Sequence, residues 1–178
     1  MQKKRIFIAI NLPEKVKEKL SKYRYDIPAK WTKKENLHIT LNFLGQIGDE
    51  EIPDIFQAVE KTALSHSALD IKIKKIAYGP KYKIVWAVGE RIEKLSALKN
   101  DLEENLKNFD NKGFTPHITL ARIRAWDFRK IEEDERPEID EEIDLNIQVN
   151  SIEIMESVLK REGPEYTILE SFQLDDRS

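Results

Sequence analysis

The tetrapeptide HITL occurs twice, at residues 38–41 and 117–120, and this recurrence constrains the fold more than any other feature of the chain. His38 and His117 stand 79 residues apart, while the apolar runs RIFIAI (5–10) and KIVWAV (83–88) stand 78 apart. Both runs are rich in β-branched residues and read as strands. Each precedes a segment with apolar side chains at helical spacing: Val16, Leu20 and Tyr23 in the first half, Ile92, Leu95, Leu98, Leu102 and Leu106 in the second. Both halves therefore run strand, helix, HITL strand. The pattern predicts an α+β protein of two pseudo-symmetric lobes, each a small antiparallel sheet with helices on its outer face, around a central cleft. A single two-lobed domain over residues 1–178, built from an internal duplication, is the matching expectation.

The rest of the chain fills in that plan. Residues 14–25 read as the first helix, with Asn11 as its cap and Pro13 near its first turn. Ile52, Ile55, Phe56, Val59 and Ala63 form one stripe of a helix between Asp49 and His66. LDIKIKKIAYG is a strand, and the tail adds LNIQVNSIEIMESVL and EYTILESFQL as two more, with Gly163-Pro164 between them.

In a strand, side chains alternate between faces, so His38 and Thr40 point one way while Ile39 and Leu41 point into a core. The same holds for His117 and Thr119 against Ile118 and Leu120. One His–Thr alternation on its own commonly dresses an exposed strand face. Two copies among 3 histidines and six threonines are a different matter, because composition alone yields that on the order of a few times in a thousand. Two imidazoles facing across a cleft suit in-line displacement at phosphorus: one takes a proton from the attacking oxygen and the other protonates the leaving oxygen. Thr40 and Thr119 would donate hydrogen bonds to the non-bridging oxygens. His66, in LSHS, lacks this context and reads as a helix-end histidine.

Composition narrows the alternatives. With Cys 0 there is no disulfide framework, no thiolate metal site and no cysteine nucleophile. No H-E-x-x-H helix occurs, and 6 glycines form no phosphate-cradling loop, so neither a metal nor a nucleotide cofactor is expected. Apolar runs are too short for a membrane span, and MQKKRIFIAINLPEK is too short in its apolar part for a signal peptide. A cytoplasmic monomer without membrane contact is the expectation. The net charge of −3 conceals a segregation: residues 1–34 carry eleven basic side chains against three acidic ones, and residues 131–144 carry nine acidic against Arg136 alone. The first reads as a helix face or a polyanion-facing region, the second as a solvated insertion.

The paired HxTx motifs resemble those of the two-histidine phosphoesterases. The run WTKKENLHITLNFLG (31–45), with RIFIAINLP, FTPHITLAR and SVLKREGPEYTILESFQL, is similar to the RNA 2′,3′-cyclic phosphodiesterases, also called 2′-5′ RNA ligases, over nearly the whole chain. The resemblance implies a metal-independent enzyme that opens a terminal 2′,3′-cyclic phosphate on RNA to a 2′-phosphate and can form 2′-5′ linkages without ATP. It implies that His38 is the proton donor, His117 the proton acceptor, and Arg122 a phosphate-binding residue. Strict alternation puts Arg122 opposite His117, so a bulge or strand end must turn it. The family's arginine before the second-half strand is here Lys83, which keeps the charge without the bidentate fork. Alternatives are an RNA-end-binding module without turnover, or another two-histidine phosphodiesterase with a different substrate.

Overall fold

RIFIAI lies in β1 (Lys3–Asn11), where Ile6, Ile8 and Ile10 face one side and Phe7 and Ala9 the other, all buried. A strand buried on both faces belongs inside a sheet. In the computed structural model of the chain, β1 sits between β3 (His38–Gly48) and β8 (Ser151–Lys160). The structure describes residues 3–110 and 113–175; the rest of the expected 1–178 domain lies outside the described residues.

The other elements are α1 (Glu14–Leu20), β2 (Ala29–Trp31), α2 (Ile52–Leu64), β4 (Leu69–Tyr78), β5 (Ile84–Gly89), α3 (Glu93–Leu106), β6 (His117–Ile123), α4 (Ala125–Phe128), β7 (Asp140–Val149) and β9 (Gly163–Gln173). The strands pair antiparallel in the order β7-β4-β5-β6-β3-β1-β8-β9, with β2 on β6. Ile39 and Ile118 form the register pair that joins β3 to β6 at the middle. Four strands of the main path lie on each side of it, with the short β2 added on β6, so the α+β fold has the two similar halves that the repeat predicts. The halves exchange strands: β4 follows α2 yet pairs with β5, while β8 and β9 return from the end of the chain to the first half, β8 on β1 and β9 on β8.

The main core runs continuously beneath both halves. It holds Val16 and Leu20 of α1, Val59 and Ala63 of α2, and Leu95, Leu98 and Leu102 of α3 against Ile39, Ile71, Ile118 and Ile147. α2 and α3 pack on each other, and Phe56 of α2 meets Phe172 of β9 edge-on at 6.0 Å. A smaller cluster of Phe7, Ala9, Met155 and Tyr166 lies on the opposite face of the first half.

Several boundaries depart from the sequence reading. The backbone N–H of Asn11 donates to Glu153 at 2.8 Å, and Pro13 occupies the cap position, its carbonyl accepting from Val16 at 2.9 Å. α1 ends at Leu20 instead of 25, because Lys22 and Tyr23 bond to carbonyls three residues back and Tyr23 and Tyr25 turn onto the core. LNIQVNSIEIMESVL is two strands, broken at Asn150. Part of the acidic segment is no loop: Asp140–Asp144 begin edge strand β7, where Lys75 reaches Asp140 (2.6 Å) and Lys72 reaches Asp144 (3.3 Å). Among the described residues no helix is long and apolar enough to cross a membrane.

Candidate active site

Matching irregularities shape the two HITL strands. In β3, Thr40 pairs with Ala9 and Asn42 with Ile8, so Leu41 is an extra residue; in β6, Thr119 pairs with Trp86 and Ala121 with Val85, so Leu120 is the extra one. A bulge of this kind resets the alternation of faces. Before it, His38, Thr40, His117 and Thr119 point to the cleft while Ile39 and Ile118 are fully buried. After it, Asn42 and Ala121 are buried and Phe43 and Arg122 turn to the cleft. The bulge required to bring Arg122 beside His117 is thus present at Leu120.

Both histidines, both threonines and Arg122 line one cavity of about 180 Å³. Arg5, Lys30, Lys33, Phe43 and Tyr166 line it too, none of which the motif reading singled out. Lys30 is legible only through β2, where it is the register partner of Arg122. Lys83 does not line the cavity; it ends the β4–β5 turn, and its carbonyl accepts from Ile123 at 2.9 Å. Asn36 donates to the Pro164 carbonyl (2.8 Å), tying the turn before β3 to the start of β9 across the cleft mouth.

The two imidazoles are held alike. Nδ1 of His38 lies 2.6 Å from the Asn36 carbonyl, and Nδ1 of His117 lies 2.8 Å from the Thr115 carbonyl. A carbonyl accepts only, so each Nδ1 carries the hydrogen and each neutral ring keeps its lone pair on Nε2. At His38, Thr40 Oγ1 stands 3.0 Å from Nε2. Each ring also rests against an aromatic residue of the neighbouring strand: Phe7 is 5.1 Å from His38 and Trp86 is 5.0 Å from His117. Burial lowers the His38 pKa below its ordinary value; the Asn36 carbonyl opposes this, and the Lys17 and Arg122 cations and the neighbouring His117 add to it.

His66 lies away from the cleft, its Nε2 2.7 Å from Asp101 of α3. Trp31 lines the cavity and also packs on Tyr25 at 6.1 Å, with the Arg24 guanidinium 4.9 Å over its ring. Among the described residues no three His, Cys, Asp or Glu side chains gather as a metal site.

The family model described as the 2′-5′ RNA ligase superfamily matches residues 12–161. The chain belongs to the 2′-5′ RNA ligase superfamily. It is 30% identical to a protein of Methanocaldococcus jannaschii named RNA 2′,3′-cyclic phosphodiesterase, over 94% of this chain and 99% of that one. This superfamily member also superposes on the crystal structure of TT0787 of Thermus thermophilus with a TM-score of 0.81 and 28% identity, covering 98% and 100% of the two chains. A crystal structure of E. coli LigT complexed with 3′-AMP shares the fold, with a TM-score of 0.80 at 21% identity over 97% of this chain and 99% of that one. Superfamily membership makes the chain one of a family of enzymes.

Proposed function

We propose that the chain is an RNA 2′,3′-cyclic phosphodiesterase that hydrolyses a terminal 2′,3′-cyclic phosphate to a 2′-phosphate by acid–base catalysis from two histidines. The observation that carries this reading is the matched pair of imidazoles on one cavity, each with Nδ1 committed to a backbone carbonyl, which leaves Nε2 as the nitrogen for proton transfer; at His38 the substrate displaces the Thr40 hydroxyl from it. His117 Nε2 takes a proton from water as the water oxygen bonds to phosphorus. His38 gives a proton to the 3′ oxygen as its bond to phosphorus breaks. Thr40 and Thr119 donate to the non-bridging oxygens, and Arg122 neutralises the charge gathering there.

Burial favours neutral His38, whereas a donor must be an imidazolium. The cyclic phosphate supplies what the free site lacks, since its negative charge beside His38 favours the charged ring. No step calls on a metal or cofactor. A 5′-hydroxyl in place of water would give 2′-5′ ligation without ATP by the same proton transfers. Phe43, half-exposed beneath Arg5 (4.9 Å from guanidinium to ring), offers the terminal base a stacking face. We also read the chain as a cytoplasmic monomer, one domain that arose by duplication.

The test is incubation of a nucleoside 2′,3′-cyclic phosphate with the protein in excess EDTA, resolving 2′- from 3′-phosphate by NMR. The expected product is the 2′-phosphate at an unchanged rate. Activity lost on chelation would overturn metal independence, and salt-sensitive RNA binding without product would favour an end-binding module.

A further inference from the structure

The end of the second half that carries Arg122 also holds cations and exposed rings that the proton-transfer chemistry does not use. Arg122 pairs in register with Lys30 and Ile84, and Lys30 lines the cleft with it. Two residues on, Arg124 leaves β6 with its N–H on the Pro28 carbonyl (2.8 Å) and its side chain 64% exposed. α4 then presents Trp126, 70% exposed, with the Lys130 ammonium 5.3 Å from the ring centre. The β4–β5 turn adjoins the same surface, because Ile123 bonds to the Lys83 carbonyl and Tyr82 stacks on Phe128 at 5.7 Å while staying 52% exposed.

Charge and backbone both mark this rim. Residues 122–130 contain four cations against Asp127, and the turn adds Lys81 and Lys83. Asp127 meets Arg124 and Lys130 at 3.5 and 3.6 Å on an exposed surface, where such pairs are weak. Lys81 and Tyr82 both adopt left-handed backbone, with φ of 57° and 52°, which is costly for side chains of their size. Tyr78 and Phe128 clamp the Tyr82 ring at 5.0 and 5.7 Å and so hold that conformation. Strain kept in this way, to display a half-exposed ring beside cations, points to a binding role.

We propose that this rim is the track of the RNA body on the 5′ side of its cyclic end. Phosphates lie against Arg124, Lys83 and Lys130, and unpaired bases stack on Trp126 and Tyr82. The inference rests on the cyclic phosphodiesterase reading and deepens it: the substrate is a single-stranded polymer gripped outside the cleft. Continuity with the cleft cations favours RNA over a membrane, and α4, four residues long, is too short for an amphipathic anchor. Exposed Glu132, Glu133, Asp134 and Glu135 follow Lys130 closely and repel a polyanion, so the track ends there.

The experiment compares wild type with the triple variant Arg124→Ala, Trp126→Ala, Lys130→Ala, checked for folding by thermal unfolding. Fluorescence anisotropy follows binding of a short single-stranded oligoribonucleotide with a free 3′-hydroxyl. Its affinity is expected to fall roughly tenfold or more, and the slope of log K against log salt to shrink by about 1.4 for two lost cations. In parallel, kcat/KM is expected to fall by a similar factor on an oligoribonucleotide ending in a 2′,3′-cyclic phosphate and to stay unchanged on the mononucleoside cyclic phosphate. Tyr82→Asn, which suits left-handed backbone, removes one ring and is expected to give part of the loss. Unchanged oligonucleotide affinity, equal losses on both substrates, or a preference for anionic phosphatidylserine vesicles over RNA would overturn the track. If wild type hydrolyses neither substrate, the functional reading fails, while the anisotropy arm still decides the track.

Discussion

Ile39 and Ile118 face each other as the register pair between β3 and β6, each one residue beyond a cleft histidine. Both are fully buried, so the contact that joins the halves also fixes the spacing of His38 and His117. Truncating either side chain removes buried apolar volume at that seam. Ile118→Ala is expected to cost about 2–5 kcal/mol of stability, read as a lower midpoint in urea unfolding. Its kcat is expected to fall while the folded fraction stays high; an unchanged kcat would mean the seam does not set the histidine spacing.

His38 titrates below its ordinary value near 6.5 because it is buried. In NMR titration its ring signals are expected to move at a lower pH than those of a surface histidine, and to shift upward when a nucleoside 2′-phosphate occupies the cleft. The stability consequence has a definite sign. The unfolded chain binds a proton that the folded chain resists, so stability is highest above the unfolded value and declines as pH falls through it toward the folded value. His38→Asn is expected to flatten that decline.

Lys99 and Glu103 form an ion pair within α3, with side chains 6% and 11% exposed, and Glu103 also accepts the Asp110 N–H at 3.1 Å. The ring of Phe114, three residues before His117, lies 5.4 Å from the Lys99 ammonium. Lys99→Met leaves a buried carboxylate without its partner and is expected to cost about 3–5 kcal/mol. Lys99→Met with Glu103→Leu is expected to recover most of that loss in chemical denaturation; no recovery would show that the carboxylate's bond to the 103–110 loop matters more than its charge.

Arg122 reaches the cleft through the bulge at Leu120. Arg122→Ala is expected to lower kcat/KM on a mononucleoside cyclic phosphate roughly 10²-fold, with Arg122→Lys intermediate because it keeps the charge but not the fork. Equal rates for Lys and Arg would reduce the role to simple charge.

Much of this site was legible in the sequence because its key residues are local and periodic. The i, i+2 spacing of His38 and Thr40 fixes a common face wherever the segment is a strand, and the apolar Ile39 fixes which face is the core. The stripe of Ile92, Leu95, Leu98, Leu102 and Leu106 likewise marks the helix that the structure forms as α3. Other features depend on partners distant in the chain. β2 has three residues and no pattern of its own, so Lys30 became visible only when paired with Arg122. The exchange of β4 for β8 and β9 between halves is a matter of pairing, on which side-chain periodicity is silent. The anchors of both histidines are main-chain carbonyls of Asn36 and Thr115, which residue identities do not announce.

The central claim is that His38 and His117 divide the proton transfers of one displacement at phosphorus. The most direct measurement follows a nucleoside 2′,3′-cyclic phosphate by ³¹P NMR with wild type, His38→Ala and His117→Ala, each shown to be folded. The expected result is a 2′-phosphate from wild type and a loss of about 10²- to 10⁴-fold in kcat in each variant. A 3′-phosphate product, or near wild-type turnover in either variant, would contradict it.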